Sequence, residues 1–285
     1  MSELTTKKES NPIIVDVPAK PFLRWAGGKK WLIKHLNKIL PKNDFKSYHE
    51  PFLGGAAIFI SLNPKKAYLS DLNRELIDTY RTLKNRPEEI ITELANFDNS
   101  QTSYYKIRCE QPESDIRQAA RFIYLNQTSY NGIYRVNLKG QYNVPFGFRK
   151  KDFLEPDVLR AVSKSLRNAD IIHGDFDLIK PNIQKRDLIF LDPPYTVSHN
   201  SNGFIKYNQK IFSLEDQYRL STLIDHIKSK DAYYILTNAA HHKILDIFEK
   251  GDKRLELTRA NLIGGINAHR GKTSEYLFTN IKSIS

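Results

Sequence analysis

The order of short apolar runs around a pair of glycines constrains the fold of this chain more than any other feature. Residues 46–52 are typical of a short strand, Gly54-Gly55 of a tight turn, and the residues that follow, through Leu62, of an apolar helix. A second strand over residues 66–70 ends at Asp71. Strand, turn, helix and strand in this order form a βαβ unit, so we expect two parallel neighbouring strands.

The same alternation returns in the last third of the chain. The helix there starts at Ser213, and the sequence from Ser213 to Asp216 has the pattern of a capping box. We expect an α/β fold, with one open, mostly parallel sheet and helices on both faces, built from residues 20–86 and 169–285. Four further runs have the composition of strands, the last of them an edge strand: 169–173, 187–191, 232–237 and 275–281.

Residues 87–168 interrupt this alternation. Pro87 opens one helix and residues 116–127 form another. Residues 133–146 have the pattern of a β-hairpin that turns at Lys139-Gly140. We therefore expect an inserted, mainly helical domain that carries a hairpin.

Composition excludes several classes of protein. The single cysteine, Cys109, cannot form an internal disulfide or a thiolate zinc site. No apolar run approaches the roughly 18 residues of a membrane span, and the first residues lack the layout of a signal peptide. We expect a cytoplasmic protein that does not associate with membranes, with a disordered leader over residues 1–19.

The charge of the chain favours a polyanionic partner. Lysine and arginine number 44 against 32 aspartates and glutamates, which gives a formal net charge of +12. Residues 130–151 contain no acidic residue, and cations for phosphates alternate there with flat rings for bases. A solvated hairpin is the alternative interpretation. The residues of this basic–aromatic segment are Arg135, Lys139, Arg149, Lys150 and Lys151 with Tyr130, Tyr134, Tyr142, Phe146 and Phe148.

The strongest motif is Asp192-Pro193-Pro194-Tyr195, directly after an apolar strand. Two prolines stiffen the loop, so the carboxylate of Asp192 and the carbonyl of Pro193 can be fixed as adjacent acceptors. Tyr195 supplies a ring face, and open α/β sheets bind ligands at this edge. The set suits an exocyclic amino group on a planar base. A proline turn that merely ends a strand is the alternative.

The glycine turn predicts a second binding element. Gly54 lets the backbone approach a ligand closely, and Asp71, at the end of the next strand, can accept both hydroxyls of a ribose.

These segments, in this order, resemble the Dam family of adenine-specific DNA methyltransferases. The resemblance covers nearly everything from Pro21 to Asn280 and implies a class I methyltransferase fold, S-adenosylmethionine as methyl donor, no metal, and an inserted target-recognition domain. The matching segments are 22–29 (FLRWAGGK), 50–56 (EPFLGGA), 70–73 (SDLN), 130–137 (YNGIYRVN), 143–147 (NVPFG), 173–176 (HGDF) and 192–195 (DPPY).

The resemblance also assigns donor-binding residues. It places Lys29 near the carboxylate of the donor, and Asp175 at the amino group of the donor's adenine, where capping of a strand end is an equal alternative. Trp25 would pack on the donor or, alternatively, in the core. The full expected donor set is Trp25, Lys29, Phe52, Gly54, Asp71, Asp175 and Asp192.

In the inserted segment, the resemblance makes Arg135 the principal reader of a guanine. Tyr130 and Asn131 match positions that fill the space left by a flipped base, and Ile133 and Pro145 match contacts to a thymine methyl group. The DNA-binding set is completed by Arg24, at an outer base, and Asn137.

The expected activity is therefore transfer of a methyl group to N6 of adenine in double-stranded DNA, within GATC, after base flipping, with Asp192, Pro193 and Tyr195 as catalytic residues. After Pro145-Phe146-Gly147 the GATC-specific members carry Arg-Tyr, whereas this chain has Phe148-Arg149. Alternatives are another DNA sequence, adenine in RNA, a glutamine side chain, or a catalytically silent DNA-binding protein. We expect a monomer, acting alone or beside a restriction endonuclease.

Overall fold

The computed structural model describes residues 17–36, 38–40, 45–137, 139–195, 212–260 and 272–282. Of the expected leader over residues 1–19, residues 1–16 lie outside these ranges and residues 17–19 lie within them. Within the described ranges, helices are either too short or too polar to cross a membrane.

The described residues form a seven-stranded sheet whose strand order is β3-β2-β1-β4-β5-β7-β6. Strands β1 to β5 run parallel, and β7 is antiparallel to both of its neighbours, β5 and β6. The open, mostly parallel α/β sheet expected from the sequence is confirmed. The strands are β1 (Tyr48–Glu50), β2 (Ala67–Asp71), β3 (Ala169–His173), β4 (Leu188–Leu191), β5 (Tyr233–Ala239), β6 (Lys253–Ala260) and β7 (Lys272–Thr279).

The last strand is not at an edge of the sheet, so that prediction was wrong. β7 lies between β5 and β6, and β6 is the edge strand, which the sequence analysis missed. In residues 253–258 of β6, the half-buried Leu255 and Leu257 alternate with exposed residues such as Arg254 and Glu256. Such charged side chains are typical of an edge strand, because they oppose pairing with another chain.

Helices cover both faces of the sheet. Strand β4 shows the division, because Leu188 and Phe190 belong to one hydrophobic cluster, and Ile189 and Leu191 to the other. The described α-helices are α1 (Ile33–Leu36), α2 (Ala57–Leu62), α3 (Arg74–Asn85), α4 (Pro87–Ala95), α5 (Gln101–Cys109), α6 (Asp115–Thr128), α7 (Pro156–Leu166), α8 (Leu214–Ser229) and α9 (His242–Phe248). Short 3-10 helices cover Lys30–Leu32, Tyr130–Gly132 and Phe176–Asn182.

Local sequence explains several helix boundaries. Pro87 lies in the first turn of α4, where its missing N–H costs nothing. The side chain of Asn73 accepts a hydrogen bond from the Leu76 amide at the start of α3. At α8 the capping box of Ser213 and Asp216 is present in both directions, as the sequence predicted.

The segment between α3 and β3 contains helices α4 to α7 and an irregular hairpin. The two arms of the hairpin are joined by an isolated antiparallel bridge between Val136 and Tyr142 and do not form a named strand pair. Its turn is closed by Asn137, whose side-chain oxygen accepts the amides of Lys139 (2.9 Å) and Gln141 (3.0 Å). One hydrophobic cluster runs continuously from α3 into α6. The division into a domain of residues 20–86 and 169–285 and an inserted domain of residues 87–168 stays a prediction.

A buried amide in α6 anchors the chain that precedes the first helix. The side chain of Asn126 accepts the Arg24 amide (2.7 Å) and donates to the Arg24 carbonyl (2.8 Å) and to the Gly132 carbonyl (3.2 Å). The neighbouring Gln127 side chain donates to the carbonyl of Phe22. These bonds place residues 22–25 against α6.

Asn126→Ala tests this anchor. The substitution leaves three backbone groups, of the half-buried Arg24 and the buried Gly132, without their partner. We expect a loss of about 3 kcal/mol in the free energy of unfolding, measured by urea denaturation. The matched control is Asn96→Ala on the exposed surface, where the side chain bonds only to Thr92 of its own helix, and there we expect a change within about 0.5 kcal/mol. Equal losses in the two variants would contradict the anchoring role.

Candidate active site

The site forms where the strand order reverses. β1 and β4 are parallel neighbours, and the chain leaves them toward opposite ends of the sheet. Ligands of open α/β sheets bind at the carboxyl ends of such strands. The residues at or just after these ends are Glu50 on β1, Asp71 on the adjacent β2, and Asp192 after β4. The topology therefore brings together the two motifs that the sequence analysis considered separately.

Lys29 lies at the centre of this edge. Its side chain is 4% exposed, and its Nζ is 2.9 Å from Oδ1 of Asp192 and 3.6 Å from Oε2 of Glu275. It also donates to the carbonyl of Gly27 at 3.0 Å and lies 4.9 Å from the centroid of the Tyr195 ring. The ammonium group therefore already has two carboxylates and a carbonyl as neighbours, and the expected contact with the donor's carboxylate stays a prediction.

Asp192 is fixed from a second side by Thr237 on β5, whose hydroxyl donates to the same Oδ1 at 2.8 Å. Burial raises the pKa of Asp192, the Lys29 ammonium opposes that shift, and the charge of Glu275 adds to it. One fifth (20%) of the Asp192 side chain remains exposed. Asp192 is thus a held acceptor that solvent, or a ligand, can reach.

Sequence reasoning missed Glu275. It lies on β7 and is 1% exposed, and its Oε2 accepts the hydroxyl of Tyr195 at 2.7 Å. The sequence signal that could have indicated Glu275 is a single carboxylate directly before the apolar run Tyr276-Leu277-Phe278. A charged residue in a fully buried strand position requires a partner. For Glu275 these partners are Tyr195, in the loop motif, and Lys29.

The glycine turn is shaped by Trp25. Gly54 has φ +45°, and a Cβ there would lie 2.7 Å from Cδ1 and 2.8 Å from Nε1 of the indole. Its amide donates to Asp71 Oδ2 (3.0 Å), and its carbonyl accepts the Tyr80 hydroxyl (3.0 Å). A glycine is therefore required here by the close approach of the indole, and the approach of a ligand to this turn stays a prediction.

Trp25 joins this turn to the basic–aromatic segment. Its ring stacks on Tyr134 (centroids 5.8 Å apart) and on Phe122 of α6 (6.4 Å). The side chain is half-buried and packs against the first hydrophobic cluster. Core packing, one of the two expectations for Trp25, is therefore present, and a contact with the donor stays a prediction.

The remaining donor candidates lie along the same edge. Asp71 accepts the amides of Gly54 and Asn73, and burial raises the pKa of Asp71 more than these bonds lower it. Phe52 stacks on Phe176, with centroids 5.5 Å apart. Asp175 caps the 3-10 helix Phe176–Asn182, whereas the alternative expected from the sequence was the cap of a strand end, and it pairs with Arg219 at 2.7 Å. Its contact with the donor's adenine stays a prediction.

Glu50 carries a buried carboxyl group on β1, the strand between β2, which ends at Asp71, and β4, which is followed by Asp192. It is 3% exposed and accepts the Tyr48 hydroxyl (2.9 Å) and the Phe59 amide (3.2 Å). Burial, followed by the charges of Asp192 and Asp71, raises the pKa of Glu50 to about 8. Glu50 is therefore mostly protonated at neutral pH.

The DNA-binding candidates divide into an exposed and an internal group. Tyr130 is 48% exposed, and its amide donates to the carbonyl of the exposed Pro145 at 2.9 Å. Asn131 is exposed with φ +53°, and Ile133 is half-buried. Arg24 instead donates to the carbonyls of Gln127 and Ser129 at the end of α6 (3.3 and 3.2 Å).

Arg135, the predicted guanine reader, is exposed. Its Nε donates to the side-chain oxygen of Asn143 at 2.7 Å, and Nη2 lies 3.4 Å from the Asn143 carbonyl. This pairing holds the guanidinium against the hairpin. Phe148, one of the aromatic residues of the basic–aromatic segment and the first departure from the resembled motif, is 70% exposed with φ +51°. The ring of Phe148 adds an exposed apolar face to the basic–aromatic segment.

Comparison with known proteins identifies the family. The family of D12 class N6 adenine-specific DNA methyltransferases matches residues 25–261. The chain belongs to this family. It is 33% identical over 273 residues to a type II methyltransferase of Lactococcus lactis subsp. cremoris, covering 92% of this chain and 95% of the relative. It is 33% identical over 254 residues to a type II methyltransferase of Methanocaldococcus jannaschii, covering 81% and 87%.

A third relative is the DNA adenine methylase of Salmonella typhi, 30% identical over 228 residues, which cover 77% of this chain and 80% of the relative. The resemblance inferred from the sequence is confirmed, as are the adenine-specific DNA methyltransferase activity and the class I methyltransferase-like fold. Membership of the D12 class implies S-adenosylmethionine as donor and DNA as substrate. Within the described ranges there is no group of three or more histidine, cysteine or acidic side chains that could hold a metal.

Glu50→Gln tests the raised pKa. Because the pKa of Glu50 in the folded protein is about 8, above its ordinary 4.5, the folded state keeps a proton that the unfolded chain releases between these values. The free energy of unfolding must therefore fall as the pH rises through this interval. Glutamine keeps the shape and an acceptor but does not titrate, so we expect the variant to lose less stability than the wild type between about pH 6 and about pH 8.

The measurement is urea unfolding of both proteins at the two pH values. Glu113→Gln, on the exposed surface, is the matched control and should leave the pH dependence of wild type unchanged. An unchanged pH dependence in Glu50→Gln would contradict the account.

Proposed function

We propose that this protein transfers the methyl group of S-adenosylmethionine to N6 of an adenine flipped out of duplex DNA, within GATC. The observation that carries the proposal is the geometry of Asp192, whose Oδ1 is held by Lys29 and Thr237. Among the described residues, the hydrogen bonds to Asp192 all go to Oδ1. Oδ2 and the carbonyl of Pro193 are then the two adjacent acceptors that an amino group requires.

The electrostatics of the site suit a cationic donor. Asp71, Asp192 and Glu275 converge on one edge, and among the described residues Lys29 is the ammonium group that faces the last two. Bound S-adenosylmethionine supplies an electrophilic methyl group on a cationic sulfur, which this excess of carboxylates would stabilise. Asp71 would hold the ribose, because each of its oxygens accepts one amide here and retains capacity for a hydroxyl.

The residues of the loop would act on the amino group of the target adenine. Its lone pair is delocalised into the ring, which makes the nitrogen a poor nucleophile. Asp192 and the Pro193 carbonyl would accept its two N–H bonds, favour the pyramidal form and stabilise the positive charge that develops on the nitrogen. Tyr195 would hold the extruded base by its ring. The proton can leave to water after transfer.

Asp192→Ala tests this role. The variant loses a preformed acceptor at the reacting nitrogen, and we expect the rate of methyl transfer to duplex DNA to fall by about a hundredfold or more. The measurement is incorporation of labelled methyl groups from S-adenosylmethionine, with folding checked by circular dichroism. Asp225→Ala, an exposed aspartate on α8 that pairs with Lys250, is the control and should retain the wild-type rate. Substantial turnover by folded Asp192→Ala would rule the mechanism out.

Base recognition is proposed for the hairpin, with Arg135 as the reader of one guanine. An exposed guanidinium, held through Nε by Asn143, can present its remaining N–H groups as a fork to the two acceptors of guanine. Tyr130, Asn131, Ile133 and Pro145 would contact the space left by the flipped base and a thymine methyl group. Arg24 and Asn137 would act mainly by bracing this surface, as their contacts with α6 and with the turn favour.

Arg135→Ala should separate recognition from chemistry. We expect a loss of about 1–3 kcal/mol of discrimination, confined to one base pair. The measurement is the transfer rate on the preferred site and on every single-base variant of it, at fixed salt. Lys139→Ala is the comparison, because loss of a phosphate contact should weaken all sequences about equally and lower the salt dependence. A uniform loss in Arg135→Ala would reassign this residue to phosphate binding.

The names of two relatives bear on the biological setting of the protein. Two relatives bear the name of type II methyltransferases, which supports a role as the protective partner of a restriction endonuclease. We propose that the protein acts as a monomer in the cytoplasm, because one flipped adenine requires one active site.

A further inference from the structure

We propose that Glu275 is a positioning residue for methyl transfer: it fixes the hydroxyl of Tyr195 and shares the Lys29 ammonium with Asp192. The inference rests on the proposed function, since it concerns the same site. Glu275 lies outside the loop motif and outside the glycine turn, on a strand that runs antiparallel to the rest of the sheet.

The buried position of Glu275 argues against a purely structural role, because burial of a carboxylate lowers the stability of the fold. It is 1% exposed and pairs with Ala239 in the register of β5 and β7. The following residues, Leu277 and Phe278, are buried in the core. A carboxylate in such a place loses its hydration, and an apolar side chain would serve strand packing better. The charge is therefore explained by the polar groups that meet it.

The first of these groups is Tyr195. Its hydroxyl donates to Oε2 of Glu275 at 2.7 Å, and the bond joins β7 to the end of the loop after β4. A tyrosine ring on a loop can rotate about two side-chain bonds. A hydrogen bond at its far end restricts rotation about the first of these bonds. Because a phenolic O–H lies in the plane of its ring, the fixed acceptor also favours one orientation of the ring plane. Glu275 thus fixes the face that the target base would meet.

The second group is Lys29. Its ammonium lies 2.9 Å from Asp192 and 3.6 Å from Glu275, and it also lies over the Tyr195 ring. One cation between two carboxylates is attracted to both. Without the charge of Glu275 the ammonium would pair with Asp192 alone. Asp192 would then be a weaker acceptor for the amino group of the target base.

Two substitutions separate these effects. Glu275→Gln keeps the shape and an acceptor for the Tyr195 hydroxyl but removes the charge that Lys29 meets. Glu275→Leu removes both. We expect the single-turnover rate of methyl transfer to fall in the order wild type, Glu275→Gln, Glu275→Leu, with a loss of about tenfold to a hundredfold in the leucine variant. The KM for DNA in Glu275→Gln should stay within about twofold of wild type, because positioning acts on the chemical step.

Tyr195→Phe completes a double-mutant cycle. Phenylalanine cannot donate to Glu275, so adding Glu275→Leu to Tyr195→Phe should cost clearly less than Glu275→Leu does in the wild-type protein. Glu256→Gln, the same substitution at an exposed position of the neighbouring strand β6, is the control and should retain the wild-type rate. Melting temperatures are measured for every variant. If Glu275→Leu does not fold, the nearly isosteric Glu275→Gln carries the test of the charge, and Glu275→Ala, which also lacks an acceptor for the Tyr195 hydroxyl, takes the place of the leucine variant in the cycle.

The outcomes are distinct. Rates within twofold of wild type in folded Glu275→Gln and Glu275→Leu would overturn the positioning role and leave the proposed function intact. Additive losses in the cycle would overturn the coupling to Tyr195. Absence of methyl transfer to DNA by the wild-type protein would overturn the proposed function and the role of Glu275 with it.

Discussion

The buried ammonium of Lys29 is the interaction on which the active site depends. It brings together three segments that are far apart in the chain: the loop before the first helix, the loop after β4, and strand β7. Burial of Asp192 and Glu275 would be unfavourable without a cation between them. Because Lys29 supplies it, the Asp192 carboxylate can remain at a sheet edge with its Oδ1 held by Lys29 and Thr237, beside a Tyr195 ring whose hydroxyl is also held.

A second constraint is steric. Trp25 occupies the space above Gly54 and Gly55, where any Cβ would come within 3.0 Å of it. The ring of the same indole stacks on Tyr134, next to Arg135. The glycine turn, which is part of the proposed donor site, and the hairpin that is proposed to read bases therefore pack on one aromatic side chain. Asn126 holds the backbone beside Trp25 to α6. The proposed donor surface and the proposed DNA surface therefore rest on the same hydrophobic cluster.

The sequence predicted those parts of this structure that depend on local patterns. The βαβ unit, the capping box at Ser213 and the loop motif were visible because neighbouring residues specify them. The place of β7 was not, since strand order depends on contacts between distant segments, and β6 has too few apolar positions for a strand signal. The pairing of Lys29 with Asp192 and Glu275 is equally non-local. For Gly54 the need for glycine was correct, but its reason, the indole of Trp25, required the structure.

The chain belongs to a family of adenine-specific DNA methyltransferases, and we propose that it methylates N6 of adenine within GATC in duplex DNA. A direct test is to incubate the purified protein with S-adenosylmethionine and unmethylated genomic DNA and to sequence the product with detection of modified bases. We expect N6-methyladenine at essentially every copy of GATC and at few other adenines. Methylation of cytosine, methylation of adenines without a common sequence, or unmodified DNA would contradict the proposal.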